Sequence, residues 1–158
     1  MRRVALILTA ALAAWPLAAS LARAEKVYRD EVQGFQTAAA EADVVSLLLN
    51  AEGDLPGPQQ LTLRREGAGV TGGSWTLTVM PPGEDPTAAE KGRLAGGVTG
   101  GTLTFDGDGA LVKADSVQLT VRSGTGQYAG VRGGVGTLSI SSTPESPSRL
   151  AGTLTLTF

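Results

Sequence analysis

Residues 123–141 read SGTGQYAGVRGGVGTLSIS, six glycines in nineteen positions. Such a run either cradles a phosphate or bends a sheet. A dinucleotide-binding turn needs a strand, a tight turn and then a helix whose N-terminus meets the pyrophosphate. Here Gly124, Gly126 and Gly130 lead into more glycines and then into GTLSIS, where Leu138 and Ile140 share one face. A helix cannot start well in that context, and no Lys-Ser or Lys-Thr pair completes a P-loop. Glycines within strands mark bulges, sharp bends and close backbone approach, and a small barrel needs such corners to close. The stretch is therefore read as β structure, with Val121, Tyr128, Leu138 and Ile140 supplying apolar contacts.

The same period of two extends in both directions. Upstream, SVQLTVR (116–122) puts Val117, Leu119 and Val121 inward. TLTF (102–105) precedes the tight turn DGDG (106–109), a hairpin signal. KGRLAGGV (91–98) is a further strand, and MPPGEDPTAAE (80–90) is the longest loop. SWTLTV (74–79) turns Trp75, Leu77 and Val79 inward, and QQLTLRRE (59–66) does so with Leu61 and Leu63. DVVSLLLNAEG (43–53) is a continuous apolar run, expected to be the first, buried strand. Downstream, STPESPS (142–148) is expected to be a loop, and GTLTLTF (152–158) carries Leu154, Leu156 and Phe158 on one face. Seven or eight short strands at this spacing, with turn signals between them, specify an all-β sandwich or barrel. GVTGGSWTLTV (69–79) and GVTGGTLTF (97–105) echo each other. There is no third copy, so the echo describes two similar hairpin edges and not a solenoid.

Residues 25–42, EKVYRDEVQGFQTAAAEA, have no clean period and are expected to form an N-terminal arm, with a short helix at 36–42 as an alternative. Before them, Arg2 and Arg3, an apolar run over 4–21 and the ending Ala22-Arg23-Ala24 have the build of a cleavable secretory signal. The expected organisation is a signal at 1–24, an arm at 25–42 and a barrel at 43–158, in a secreted or periplasmic protein that is not inserted in a membrane once the signal is cut. An outer-membrane barrel is the competing reading for the alternating C-terminal strand ending in Phe158. It needs strands of roughly 9–11 residues and aromatic girdles, and most strands read here are shorter, with aromatics at 4%.

Composition narrows the function. Without Arg2, Arg3 and Arg23, ten basic residues face fifteen acidic ones, a net charge of −5. That balance argues against nucleic acid and against anionic lipid as partners. The chain has neither cysteine nor histidine. Disulfides, His/Cys zinc sites, His- or Cys-ligated haem and Ser-His or Cys-His catalysis are therefore unavailable. No cofactor is expected.

The run Val121-Arg122-Ser123-Gly124-Thr125-Gly126-Gln127-Tyr128-Ala129-Gly130-Val131-Arg132-Gly133 resembles the Gly-Ser/Thr-Gly-x-aromatic segment of the allene oxide cyclase and dirigent barrel superfamily. The preceding FDGDGALVKADSVQL and the final GTLTLTF fit the same strand order. The specific match covers about twenty residues. The resemblance implies a small antiparallel, eight-stranded, calycin-like barrel, often trimeric, with an apolar interior. It also implies an enzyme that guides cyclisation or coupling of a reactive intermediate. LLNAEGDLPG (48–57) aligns with the cyclase start, bringing Asn50, Asp54 and Pro56 into register, but the position of the cyclase glutamate falls on Leu48. That departure favours a non-catalytic barrel that binds a small apolar ligand or serves an envelope role.

Four residues are candidates for ligand contact. Arg65 shares parity with Leu61 and Leu63, so a continuing strand aims it into a barrel mouth, where it would hold a carboxylate. Trp75 points inward, as a pocket wall or a core anchor. Tyr128 offers a hydroxyl beside the glycine bend, and Asn50 follows from the resemblance. Asp106 and Asp108 have calcium-loop spacing but lack the rest of that loop, so they are read as a hairpin turn.

Overall fold

The computed structural model describes residues 25–37, 42–83 and 88–158. The proposed signal at 1–24 lies outside the described residues. Eight strands follow in order: β1 Val27–Thr37, β2 Val44–Gly53, β3 Gly57–Glu66, β4 Gly69–Val79, β5 Gly92–Phe105, β6 Leu111–Gly124, β7 Gly134–Thr143 and β8 Ser146–Thr157. Each pairs antiparallel with the next, and β8 returns to pair with β1, closing a barrel. One end holds the starts of β1, β3, β5 and β7, and is called the mouth. The other holds their ends, and is called the base.

The interior is apolar. Leu47, Leu61, Leu63, Trp75, Leu77, Leu94, Leu103, Leu119, Leu138 and Leu154 are fully buried within it. The outer face alternates with them and carries Thr62, Arg64, Thr76, Arg93, Gln118, Arg122 and Thr153. This is the reverse of a membrane barrel, whose outward face must be apolar. The expectation of short strands was incorrect: they run from 10 to 14 residues. Strand ends had been assigned at glycines that lie within strands. Residues 92–98 and 102–105 are parts of the single strand β5, which keeps its pairing through several bulges.

Three other expectations need correction. The arm at 25–42 is in large part β1, which pairs with both β2 and β8 and closes the barrel. Its period was masked because the inward side of β1 carries Asp30 beside Val32, and a buried acid does not read as core. The proposed helix overlaps β1 at residues 36 and 37, while 38–41 lie outside the described residues. Residues 43–53 are mostly β2, the second strand, and alternate: Val45, Leu47, Leu49 and Ala51 are buried, whereas Leu48 is 38% exposed. Residues 142–148 are not a loop, because β7 and β8 are separated only by Pro144 and Glu145. The DGDG turn is as expected: Asp106 Oδ1 accepts from the backbone of Asp108 at 3.0 Å and of Ala110 at 2.8 Å.

Candidate functional site

The stretch at 123–141 builds one side of the mouth. β6 ends at Gly124, a single 3-10 turn spans Gly126–Tyr128, and β7 begins at Gly134. Two backbone bonds hold this connection to the start of β5, Thr125 N to Arg93 O at 2.8 Å and Gln127 N to Lys91 O at 2.8 Å. The Arg132 guanidinium donates inward to the carbonyls of Ala129 and Val131. Gly124 is required because a Cβ there would sit 2.8 Å from the Tyr128 Cβ and press on its carbonyl. The loop is thus folded back on itself, and it leaves Tyr128 half-buried over the opening.

The seam between the first and last strands supplies the rest. Phe158 N donates to Lys26 O at 3.2 Å, and Lys26 N to Phe158 O at 3.1 Å. This sets the Phe158 ring against Tyr28, stacked with centroids 4.6 Å apart. Tyr128 meets Phe158 edge-on at 6.4 Å. The Lys26 ammonium covers the Tyr28 ring at 4.7 Å. Tyr28, Tyr128, Val131 and Phe158, with Lys26 and Arg132 at the rim, line a cleft of about 800 Å³. Edge and face contacts of this kind form a wall suited to a flat apolar molecule.

Beside the seam lies Asp30, 3% exposed. Its Oδ1 accepts from Leu55 N at 2.7 Å, and its Oδ2 has no partner among the described residues. Burial raises its pKa above the ordinary carboxylate value, against the lowering effect of the Leu55 N–H, and the neighbouring Asp54 charge adds to the rise. The Tyr128 hydroxyl is also raised, first by burial and then by Tyr28 and Asp30. Asp30 is therefore within electrostatic reach of the mouth. Asp54 accepts from Arg29 N at 2.8 Å, which pins the β2–β3 turn so that Leu55 folds into the interior. Gln59 is the only other buried polar residue in the described core, at 1% exposure.

Of the four sequence candidates, only Tyr128 lies at this site. Trp75 is wholly in the core, where its Nε1 donates to Thr120 O at 3.1 Å. Its indole passes over Gly96, and a Cβ on Gly96 would sit 2.7 Å from Nε1. Arg65 does not enter the mouth. It lies at the base, where Nη1 donates to Gly67 O and Nη2 to Ala42 O, each at 3.0 Å, and the guanidinium covers the Phe105 ring at 4.5 Å. Asn50 is exposed on the outer face of β2 and lines no interior surface. Arg65 and Tyr128 are thus at opposite ends, and the arrangement in which they would share a cavity is not found.

Asp30 and Gln59 were missed by the sequence reading. The available signal was the pattern Tyr28, Asp30, Val32 in VYRDEV, which alternates once an inward acid is allowed. Among the described residues, no cluster of three or more acidic side chains is placed to hold a metal ion. The fold and site together define a closed antiparallel β-barrel with one aromatic-lined mouth. No protein-family model matches the chain, and neither a curated protein nor a solved structure matches it.

Proposed function

We propose that this chain is an exported barrel that binds a small, largely apolar ring compound at its mouth without transforming it. The observation that carries this reading is the wall formed by Tyr28, Phe158 and Tyr128 around a cleft of about 800 Å³. Export rests on the leader pattern of residues 1–24. Self-association, which the resemblance to trimeric barrels implies, is supported by Phe35 and Leu48. They are register partners on the outer face, 52% and 38% exposed.

Native mass spectrometry tests the binding reading. The protein purified from its own host is expected to carry an added mass that is lost on denaturation. The same preparation of a Y128A/F158A variant is expected to lose that mass. A wild-type subunit that is bare, and that also fails to take up aromatic compounds added at millimolar concentration, overturns the reading.

A second reading is a dirigent- or cyclase-like enzyme. Asp30 favours it, since a carboxyl whose pKa is raised by burial is the kind of group that serves in proton transfer. The two readings differ in what D30N does. An enzyme loses turnover of the bound compound, whereas a carrier retains the compound unchanged in both forms.

A further inference from the structure

The rim of the mouth carries two cations that no acid of the described residues neutralises. Lys26 precedes β1, Arg132 lies in the connection between β6 and β7, and both line the cleft. The ion pairs among the described residues, Arg93 with Glu90 and Lys113 with Asp115, lie outside it. Of the acids at this end, Asp54 accepts from Arg29 N, and Asp30 is bonded to Leu55 N and does not line the cleft. Glu25 does line it, but forms no ion pair with either cation. Two cations against one acid thus face the cleft of a chain that is acidic overall. Both cations are also held in place. The Lys26 ammonium rests on the Tyr28 ring at 4.7 Å. Arg132 Nη1 donates to the carbonyls of Ala129 and Val131, the second at 3.1 Å. This leaves the Nε–Nη2 edge of the guanidinium without an acceptor among the described residues. That edge presents two parallel N–H groups, the fork that matches the two oxygens of a carboxylate. The neighbouring Gly133 leaves the flank of Arg132 open, since a Cβ there would meet nothing within 4 Å.

We infer that the mouth takes its ring compound as an anion: an aromatic carboxylate whose ring lies among Tyr28, Tyr128 and Phe158 and whose carboxylate is held at the rim by Arg132. This rests on the mouth being the ligand-binding end. Arg132 supplies the directional contact through its open edge, and the Lys26 ammonium adds attraction from the same rim. Both donors are fixed before the ligand arrives, so little further ordering opposes binding. The apolar wall on one side of the contact weakens competition from water, which strengthens a charged hydrogen bond there. A cationic ring compound would meet Lys26 and Arg132 and is disfavoured.

The test compares 2-naphthoate, ionised at neutral pH, with 2-naphthamide, which has nearly the same shape and no charge. Both are titrated calorimetrically into the purified protein and into K26Q/R132Q, at about 0.02 M and about 0.5 M sodium chloride. Wild type at low salt is expected to bind the carboxylate about tenfold or more tightly than the amide, and the preference is expected to shrink at high salt. In K26Q/R132Q it is expected to fall to within about twofold, with amide binding retained. Equal binding of the two probes to wild type, or tighter binding of the amide, overturns the inference and leaves the mouth as an uncharged ligand site. So does a preference that persists in the double variant. If neither probe binds wild type, the ligand-binding reading of the mouth falls as well. If the loss of the Arg132 bonds unsettles the loop, so that the double variant binds neither probe, K26Q alone and the salt dependence of wild type decide: a preference that neither of them reduces overturns the inference.

Discussion

Asp30 shows how one side chain can be both a cost and a tool. Its carboxyl is buried, with one oxygen bonded to Leu55 N and the other without a partner among the described residues. Because its folded-state pKa lies above the ordinary 3.8, the folded protein binds this proton more tightly than the unfolded chain does. The sign follows. Above the raised pKa the buried charge lowers stability, and as the pH falls through that value toward 3.8 the penalty is relieved. In D30N the amide oxygen still accepts from Leu55 N, and no charge is buried. Urea unfolding of D30N is therefore expected to give a higher stability than wild type at pH 7–8, with the difference shrinking on acidification through this window. A constant difference across that range would contradict the placement of Asp30. The same residue explains what the sequence concealed. Trp75, Leu77 and Val79, or Val117, Leu119 and Val121, are inward because they are apolar, and alternation finds them. Asp30 and Gln59 are inward in spite of being polar, and hydrophobic periodicity has no means of detecting them.

At the scale of elements, β1 is the strand that turns a sheet into a barrel. Without it, β2 and β8 become open edges with unpaired backbone groups. A chain beginning at residue 43 is expected to be insoluble or molten, whereas one beginning at Glu25 folds. Circular dichroism and size-exclusion chromatography distinguish the two, and a well-folded shorter chain would mean that β1 is dispensable. The strand content was legible in the sequence wherever a strand is marked by its own residues. Its closure was not, because closure is a relation between residues far apart: Val27 with Thr157, and Phe35 with Arg149. The glycine-rich corners at 123–136 pointed to a barrel, but not to which residues meet across its seam. Strand ends were obscured for a local reason. Gly96, Gly97, Gly100 and Gly101 look like a terminator, but they lie within β5, where bulges interrupt the pairing with β6 and close contact with β6 leaves no room for a side chain at Gly96 or Gly101. Arg65 and Tyr128 fall at opposite ends because parity says which face a residue occupies and not which end of the barrel it reaches. Arg65 is the penultimate residue of β3, and that strand ends at the base.

For the whole molecule, the outer surface is polar apart from a few sites. Phe35 and Leu48 stand side by side on β1 and β2, and Val27 and Val135 are exposed near the mouth. If the Phe35–Leu48 pair is where copies meet, F35R should shift the mass measured by light scattering from an oligomer to a single subunit, without changing the strand signal in circular dichroism. An unchanged mass would move the contact elsewhere. The proposed ligand site is distant from this pair along β1, so F35R should leave mouth binding intact.

The aromatic wall of the mouth straddles the seam. Tyr28 comes from the first strand, and Phe158 directly follows the last, so the wall exists only when the two ends of the ring have met. A molecule lodged there acts as a clasp. It holds shut the one junction made by residues at opposite ends of the sequence, and occupancy and ring closure become a single equilibrium.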